Sequence, residues 1–473
     1  MKSIHIFVFI LLALSYCCVI PAKTQPQMLE STTVPIADIK QIPLTLKLPY
    51  GEVLVFAPNG EKQTTVTKYD AQLKPVWSKA HPFHYSIALE PNGFSGDNLY
   101  FYYQRTDSLL RVVSMNLMTG DLTPINCLNP LQESFEVGHF EALPKALLFA
   151  KKKNQSNSVL HFDIERRKAK ILPNTNFIKA DFVEMKADQA TNTLGLIMKQ
   201  SDAYFFNFYD AKGEMIFDSK IYEEDSKHKF ISHHTVIKNA NEQYVIGLFG
   251  ANRLIPQGIY ISNFVNHQYK GTKYYRFHQL KNFHKHLPEK EQDKIREEIG
   301  KKGKHKYKYF LKQELLKEID GQIVYAIDIY KNGSSTKNSH RVMLFCGLDK
   351  DGKLMWDNAF NYQNLKEKDF FFEVKIRDAY ALSRRIAFPL FSMSFGLKNT
   401  ELSVTNLTFS KFFFAKTSNK EYFKDTEIAL SPFPLISQEL NTSQITHWYE
   451  DNFLLIGVVK DDNRLELKLI KVR

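Results

Sequence analysis

Cysteine is scarce: the chain has four in 473 residues, at positions 17, 18, 127 and 346. So few thiols cannot staple a chain this long, which excludes a disulfide-dense scaffold. Long apolar runs are missing as well. Residues 4–20 form the one extended stretch, so a polytopic helical membrane protein is excluded. Tryptophan occurs three times. The remainder, 44% hydrophobic and 24% charged, is ordinary for a folded protein and excludes a disordered one. The length suits one large fold or a few domains of roughly 150 residues.

The apolar stretch follows Lys2 and ends at Pro21-Ala22-Lys23-Thr24. A short positive end, an apolar core and a small-residue exit predict a signal peptide over residues 1–24 and an exported protein in the periplasm, at the cell surface or outside the cell. An uncleaved anchor and a lipid attached to Cys17 are the competing readings. Cleavage after Ala22 or Thr24 leaves Cys127 and Cys346, which are expected to be buried thiols.

The body repeats. Tyr69-Asp70 is followed seven residues after the Asp by Trp77, Tyr209-Asp210 by Phe217, and Leu348-Asp349 by Trp356. Gly213 and Gly352 stand three residues after their Asp, and weaker copies at Asn116 and Asp163 give intervals of 46, 47 and 47 residues from Asp70 to Asp210. The unit has a physical logic. An Asp carboxylate caps a turn by accepting backbone N–H groups just ahead of it. Glycine supplies the positive φ, and an aromatic residue returns onto the sheet. Short runs rich in Val, Ile, Phe and Tyr lie between turn clusters, as in an all-β meander.

Several strands per ~45-residue repeat predict an all-β fold: a single β-propeller over residues 25–473 of eight, alternatively seven, four-stranded blades. Tandem β-sandwiches are the other architecture such patterning allows. Blades are expected near 44–80, 83–126, 134–173, 178–219, 229–275, 310–358, 370–410 and 443–472. The last is a strand short, and residues 28–35 are expected to complete it. Cys127 and Cys346 then fall on opposite sides of the ring, too far apart for a disulfide.

The Asp-x-x-Gly-x-x-x-Trp hairpin resembles the blades of quinoprotein-like propellers. The mature chain as a whole is similar to uncharacterised exported bacterial propeller proteins, most closely at Tyr274-Tyr275-Arg276-Phe277, Gly347 to Asp357 and Trp448 to Phe453. The resemblance implies the fold and export, and no activity.

One segment breaks the pattern. Leu280, Phe283 and Leu287 have helical spacing, Pro288 suits the start of a second helix, and Gly300 its end. A helical insertion over 278–306 is therefore expected between blades five and six. Residues 270–318 hold 15 Lys plus Arg against 7 Asp plus Glu, a local charge of +8 in a chain of +12. A solvated edge insertion explains such a composition. So does a docking patch of Lys281, Lys285, Lys301, Lys302, Lys304, Lys306 and Lys308 for an acidic protein, an anionic glycan or a membrane surface. Nucleic acid is not expected for an exported protein, although Tyr307 and Tyr309 interleave with the lysines.

No catalytic motif emerges. Gly93-Phe94-Ser95-Gly96 is one residue short of a nucleophile elbow. The pairs His81/His84, His233/His234 and His284/His286 lack further ligands at metal-site spacing, so no metal or cofactor is expected. The expected function is a non-catalytic binding or scaffold propeller of the cell envelope that docks an acidic partner through its basic insertion. The alternative is a secreted hydrolase or lyase whose carboxylates meet in the central funnel.

Overall fold

The computed structural model describes residues 27–471, apart from 36–42, 49–50, 60–61, 85–91, 103–106, 153–155, 176, 179, 224–227, 287–288, 291, 295–296, 298–308, 320–321, 332–339, 350, 362–372, 377–379, 383–384, 399–400, 416–420, 429–444, 450–451 and 460–463. The expected signal peptide lies outside the described residues. Almost every described element is a strand. Six sheets are four-stranded and antiparallel, two are five-stranded, and a two-stranded ribbon pairs Ser156–Asn157 with Phe177–Ile178.

In chain order the sheets cover 44–81 (first), 92–128 (second), 136–171 (third), 180–221 (fourth), 229–276 (fifth), 309–361 (sixth) and 373–428 (seventh). A closing sheet joins Gln27–Pro35 to the strands within 445–471. In the first, second, fourth and sixth sheets neighbouring strands are consecutive in sequence, so each is a meander. The leading strands abut in turn: Asn92–Ser95, Glu136–Leu143, Ala180–Asp188 and His234–Asn239, with Tyr309–Ile319 against Glu373–Ile376. Sheets that present their leading strands to a common axis form a β-propeller.

The core sits between sheets rather than inside any one of them. Val55, Tyr69 and Leu73 pack on Leu454, Leu467 and Leu469 of the closing sheet. Leu54 and Phe56 pack on Leu99 and Phe101 of the second sheet. Comparable clusters join second to third, third to fourth, fourth to fifth and fifth to sixth. A middle strand is therefore covered on both faces, and all of Val53–Pro58 is buried. That explains continuous apolar runs where a half-buried strand would alternate. The outermost strand Pro75–His81 returns to a mostly exposed pattern. Each fully buried Leu, Val or Phe contributes about 1.5–3 kcal/mol.

The repeated turn is capped as its sequence predicts. Asp70 Oδ1 accepts the N–H of Gln72 and of Lys74, each at 2.9 Å. Asp210 and Asp349 repeat the pair of bonds with Lys212 and Glu214, and with Asp351 and Lys353. The fourth position is left-handed in all three turns, with φ of 57° at Leu73 and 69° at both Gly213 and Gly352.

The turn also receives the neighbouring sheet. Trp77 Nε1 of the first sheet donates to Leu117 O of the second at 3.0 Å, and its ring lies over Gly120. His161 of the third bonds Ala211 O of the fourth at 2.8 Å and covers Gly213. Tyr275 of the fifth donates to Gly352 O of the sixth at 3.4 Å. Cys127 and Cys346 are buried, free thiols in the second and sixth sheets. Burial pushes the Cys127 thiol up to about 12.

Between the fifth and sixth sheets, the helical spacing produces two short 3₁₀ turns, Phe277–Gln279 and Phe283–His286, instead of one helix over 278–287. The reason is Asp357 of the sixth sheet. Its buried carboxylate takes the N–H of Lys281 at 3.1 Å and of Asn282 at 2.6 Å, groups a continuous helix would use internally. Phe277, Leu280 and Phe283 are buried in the core between the fifth and sixth sheets. Beyond them Glu289, Lys290, Gln292 to Lys294, and Glu297 are helical.

Candidate functional site: a histidine–glutamate belt on the leading strands

The leading strands carry irregularities that recur at one level. The pairing slips between Val137 and His139 in the third sheet, between Phe182 and Glu184 in the fourth, and between Leu311 and Gln313 in the sixth. In the fifth sheet the leading strand is split into Lys229–Phe230 and His234–Asn239. A bulge re-aims the side chains beside it. Here it brings His139, Glu184, His234 and Glu314 into an alternating histidine–glutamate series across four consecutive sheets.

His234 is the centre. Its Nδ1 lies 3.5 Å from Glu184 Oε1, and its Nε2 lies 3.3 Å from Glu314 Oε1. Glu184 Oε2 also accepts the Thr235 N–H at 2.5 Å. Glu314 Oε2 accepts the Ser232 hydroxyl at 2.8 Å and the Tyr325 hydroxyl. Burial opposes charge on His234, but the flanking carboxylates outweigh it and bring its pKa up to about 9. Burial raises Glu314, yet bonds from His234, Tyr325 and Ser232 leave it below the ordinary carboxylate range. At neutral pH His234 is therefore an imidazolium held between the Glu184 and Glu314 side chains, with Glu314 ionised.

The strand that carries His234 departs from the ladder locally. The Ser232 carbonyl lies over Gly247, where a Cβ would meet it at 1.8 Å. Ser232 Oγ accepts the Leu248 N–H at 3.2 Å. His233 bonds the Tyr260 hydroxyl and lies tilted against the Tyr204 ring, with centroids 4.0 Å apart. Burial, with His234 and Arg253 adding like charge, pushes His233 down to about 3, so it stays neutral.

The other end of the series is open. His139 is exposed and lies 4.5 Å from the Phe182 ring. Desolvation lowers its pKa despite Glu184 nearby. Two residues on, burial pushes the Glu141 carboxyl up to about 7 against the pull of Lys186 and the Ala187 N–H. A neutral imidazole and a carboxyl that titrates near neutrality are groups fit for proton transfer. The described residues include no group of three or more His, Cys, Asp and Glu placed to hold a metal ion.

The lysines singled out from sequence lie elsewhere. Lys281 is exposed at the insertion root, and Lys285 lies on the second 3₁₀ turn. Lys301, Lys302, Lys304, Lys306 and Lys308 lie outside the described residues. Sequence reading noted His233/His234 as a pair and missed Glu184 and Glu314. Both are carboxylates placed just past the register slip in the middle of a leading strand.

Neither a protein-family model nor a curated protein matches the chain. Solved structures similar to it include the WD40 domain of SCAP from fission yeast, at 8% identity and a TM-score of 0.45, covering 93% of this chain and 98% of that one. The Nup133 β-propeller domain of Vanderwaltozyma polyspora is 10% identical with a TM-score of 0.40, covering 88% and 99%. Prolyl oligopeptidase B from Galerina marginata is 9% identical with a TM-score of 0.41, covering 95% of this chain and 56% of its own.

Proposed function

We propose that this chain is an exported, non-catalytic binding propeller of the cell envelope that docks an acidic partner through its basic insertion. In this reading the eight sheets are eight blades of one closed ring, of the exported bacterial kind with quinoprotein-like hairpins that the sequence resembles. The observation that carries it is the anchored root. Asp357 and the buried Phe277, Leu280 and Phe283 fasten residues 277–286 to the sixth sheet, and Lys281 is exposed beside them. A fixed base is what a charged appendage needs to present lysines at a defined place rather than as a loose tail. The partner is an acidic protein, an anionic glycan or a membrane surface.

The test replaces Lys281, Lys301, Lys302, Lys304, Lys306 and Lys308 by Gln and leaves the root intact. Envelope components are captured at low and at high salt. The expected result is salt-sensitive capture by the wild type and its loss in the variant, with an unchanged melting temperature. Equal capture by both proteins overturns the docking role.

The open end of the belt favours a second reading, a hydrolase or lyase working in the central funnel. Glu141, near neutrality, supplies the acid, and neutral His139 the base. Turnover of a polysaccharide or ester panel by the wild type, lost in Glu141→Gln, supports it. Turnover retained in that variant overturns it.

A further inference from the structure

We propose that the inner seam of the fourth, fifth and sixth sheets is a proton-dependent clamp: His234, gripped between Glu184 and Glu314, ties the three leading strands together while protonated and releases them when the proton leaves. The geometry carries this. Each member of the clamp comes from a different sheet, and among the described residues no backbone ladder joins the fourth, fifth and sixth sheets to one another. The leading strand of the fifth sheet is itself split beside His234, so side chains do work that a ladder performs elsewhere.

The groups facing His234 give its proton no substitute. The fourth sheet offers Glu184, and the sixth offers Glu314 and the Tyr325 ring and hydroxyl. Its own segment offers Ser232 and the neutral His233. Behind His233 lie Tyr260 and Tyr204, and Arg253 bonds Tyr204 at 2.9 Å and sits near Asp202 and Glu223. The third sheet adds His139, beyond Glu184. Loss of the imidazolium proton therefore leaves two carboxylates facing each other across a neutral ring.

The sign follows from the direction of the shift. The folded value of about 9 lies above the ordinary 6.5, so the clamp's contribution is complete below pH 6.5 and is lost as pH rises through 9. Glu141, on the seam between the third and fourth sheets, acts in the same sense. It charges near 7 rather than 4.5, so its contribution falls as pH rises from 4.5 to about 7, before the clamp's is lost. The two neighbouring seams thus weaken in succession as pH rises, the first through about 7 and the clamp through about 9.

The experiment is amide hydrogen exchange on the full-length chain between pH 6.5 and pH 9, comparing the Thr235 amide with the amides of Leu54, Val55 and Phe56 after correction for intrinsic base catalysis. The expected result is a loss of protection at Thr235 roughly tenfold greater than in the first sheet. Thermal unfolding of His234→Gln adds a second readout. Its melting temperature should be lower than that of the wild type at pH 6.5 and should fall less between pH 6.5 and 9. If Thr235 and the first sheet lose protection in parallel, the proposal is wrong whether or not the variant folds. A wild-type-like pH slope in a folded His234→Gln also overturns it.

Discussion

Leu73 stands in a position that glycine fills in the related turns. Its φ of 57° matches the 69° of Gly213 and Gly352, and a side chain there costs about 1 kcal/mol of backbone strain. The compensation is burial: Leu73 is 3% exposed and packs with Val34, Leu454 and Leu467 of the closing sheet. Emptying a buried leucine site costs about 2–5 kcal/mol, which exceeds the strain relieved. Leu73→Gly is therefore expected to lower stability by about 2 kcal/mol, read from the urea midpoint. A stabilised variant would show that the strain dominates. From the sequence alone, Leu73 looks like a defect in the repeat. Its reason lies in a sheet built from the two ends of the chain, which no local pattern reveals. Glu184 and Glu314 were hidden for the same cause, since their partner sits more than forty residues away from either.

At the scale of elements, the hairpin motif serves two ends at once. The Asp or Asn caps its own turn, and the turn receives an aromatic side chain from the preceding sheet: Trp77, His161 or Tyr275. This is why the motif was legible in sequence while its clasp was not: turn chemistry is local, and the ring that lands on it belongs to another repeat. Gly120 and Gly96 separate the contributions. Both have positive φ, but a Cβ at Gly120 falls 2.8 Å from the Trp77 ring, whereas nothing lies within 4 Å of one at Gly96. Gly96→Ala should cost about 1 kcal/mol, from strain alone. Gly120→Ala should cost at least about twice that, because the ring must move and its bond to Leu117 O weakens. Equal losses in denaturant unfolding would mean that the clasp between the first two sheets contributes little. The insertion root shows the opposite balance between pattern and contact. Leu280 and Phe283 are buried as their spacing implies, but Asp357 draws off the N–H groups that a helix needs.

For the whole molecule the critical join is where the chain's ends meet. Gln27–Pro35 pairs antiparallel with Arg464–Lys471, from Gln27 against Lys471 to Pro35 against Arg464, and supplies the fourth strand of the closing sheet. The missing strand was visible in sequence as a shortfall in the last repeat, because four strands per unit is a counting rule. Val34 shows what the join buries: it is 5% exposed and packs with Leu73, Leu467 and Leu469. A carboxylate there has no partner in this apolar cluster, so Val34→Asp must bury a charge, hold it protonated or release the strand. Releasing the strand is the least costly of these, since Gln27–Pro35 is an edge strand that pairs on one side only, with Arg464–Lys471. It also exposes the ladder groups of Arg464–Lys471, which form a new open edge. Val34→Asp is therefore expected to speed proteolysis within residues 27–35, to lower the melting temperature by on the order of 5 °C and to promote association. Val76→Asp is the matched control. Val76 is 51% exposed on the outer strand of the first sheet, so its change should stay within about 0.5 kcal/mol. Equal behaviour of the two variants would mean that the N-terminal strand adds little to the closing sheet, and that this sheet stands by stacking on the first alone.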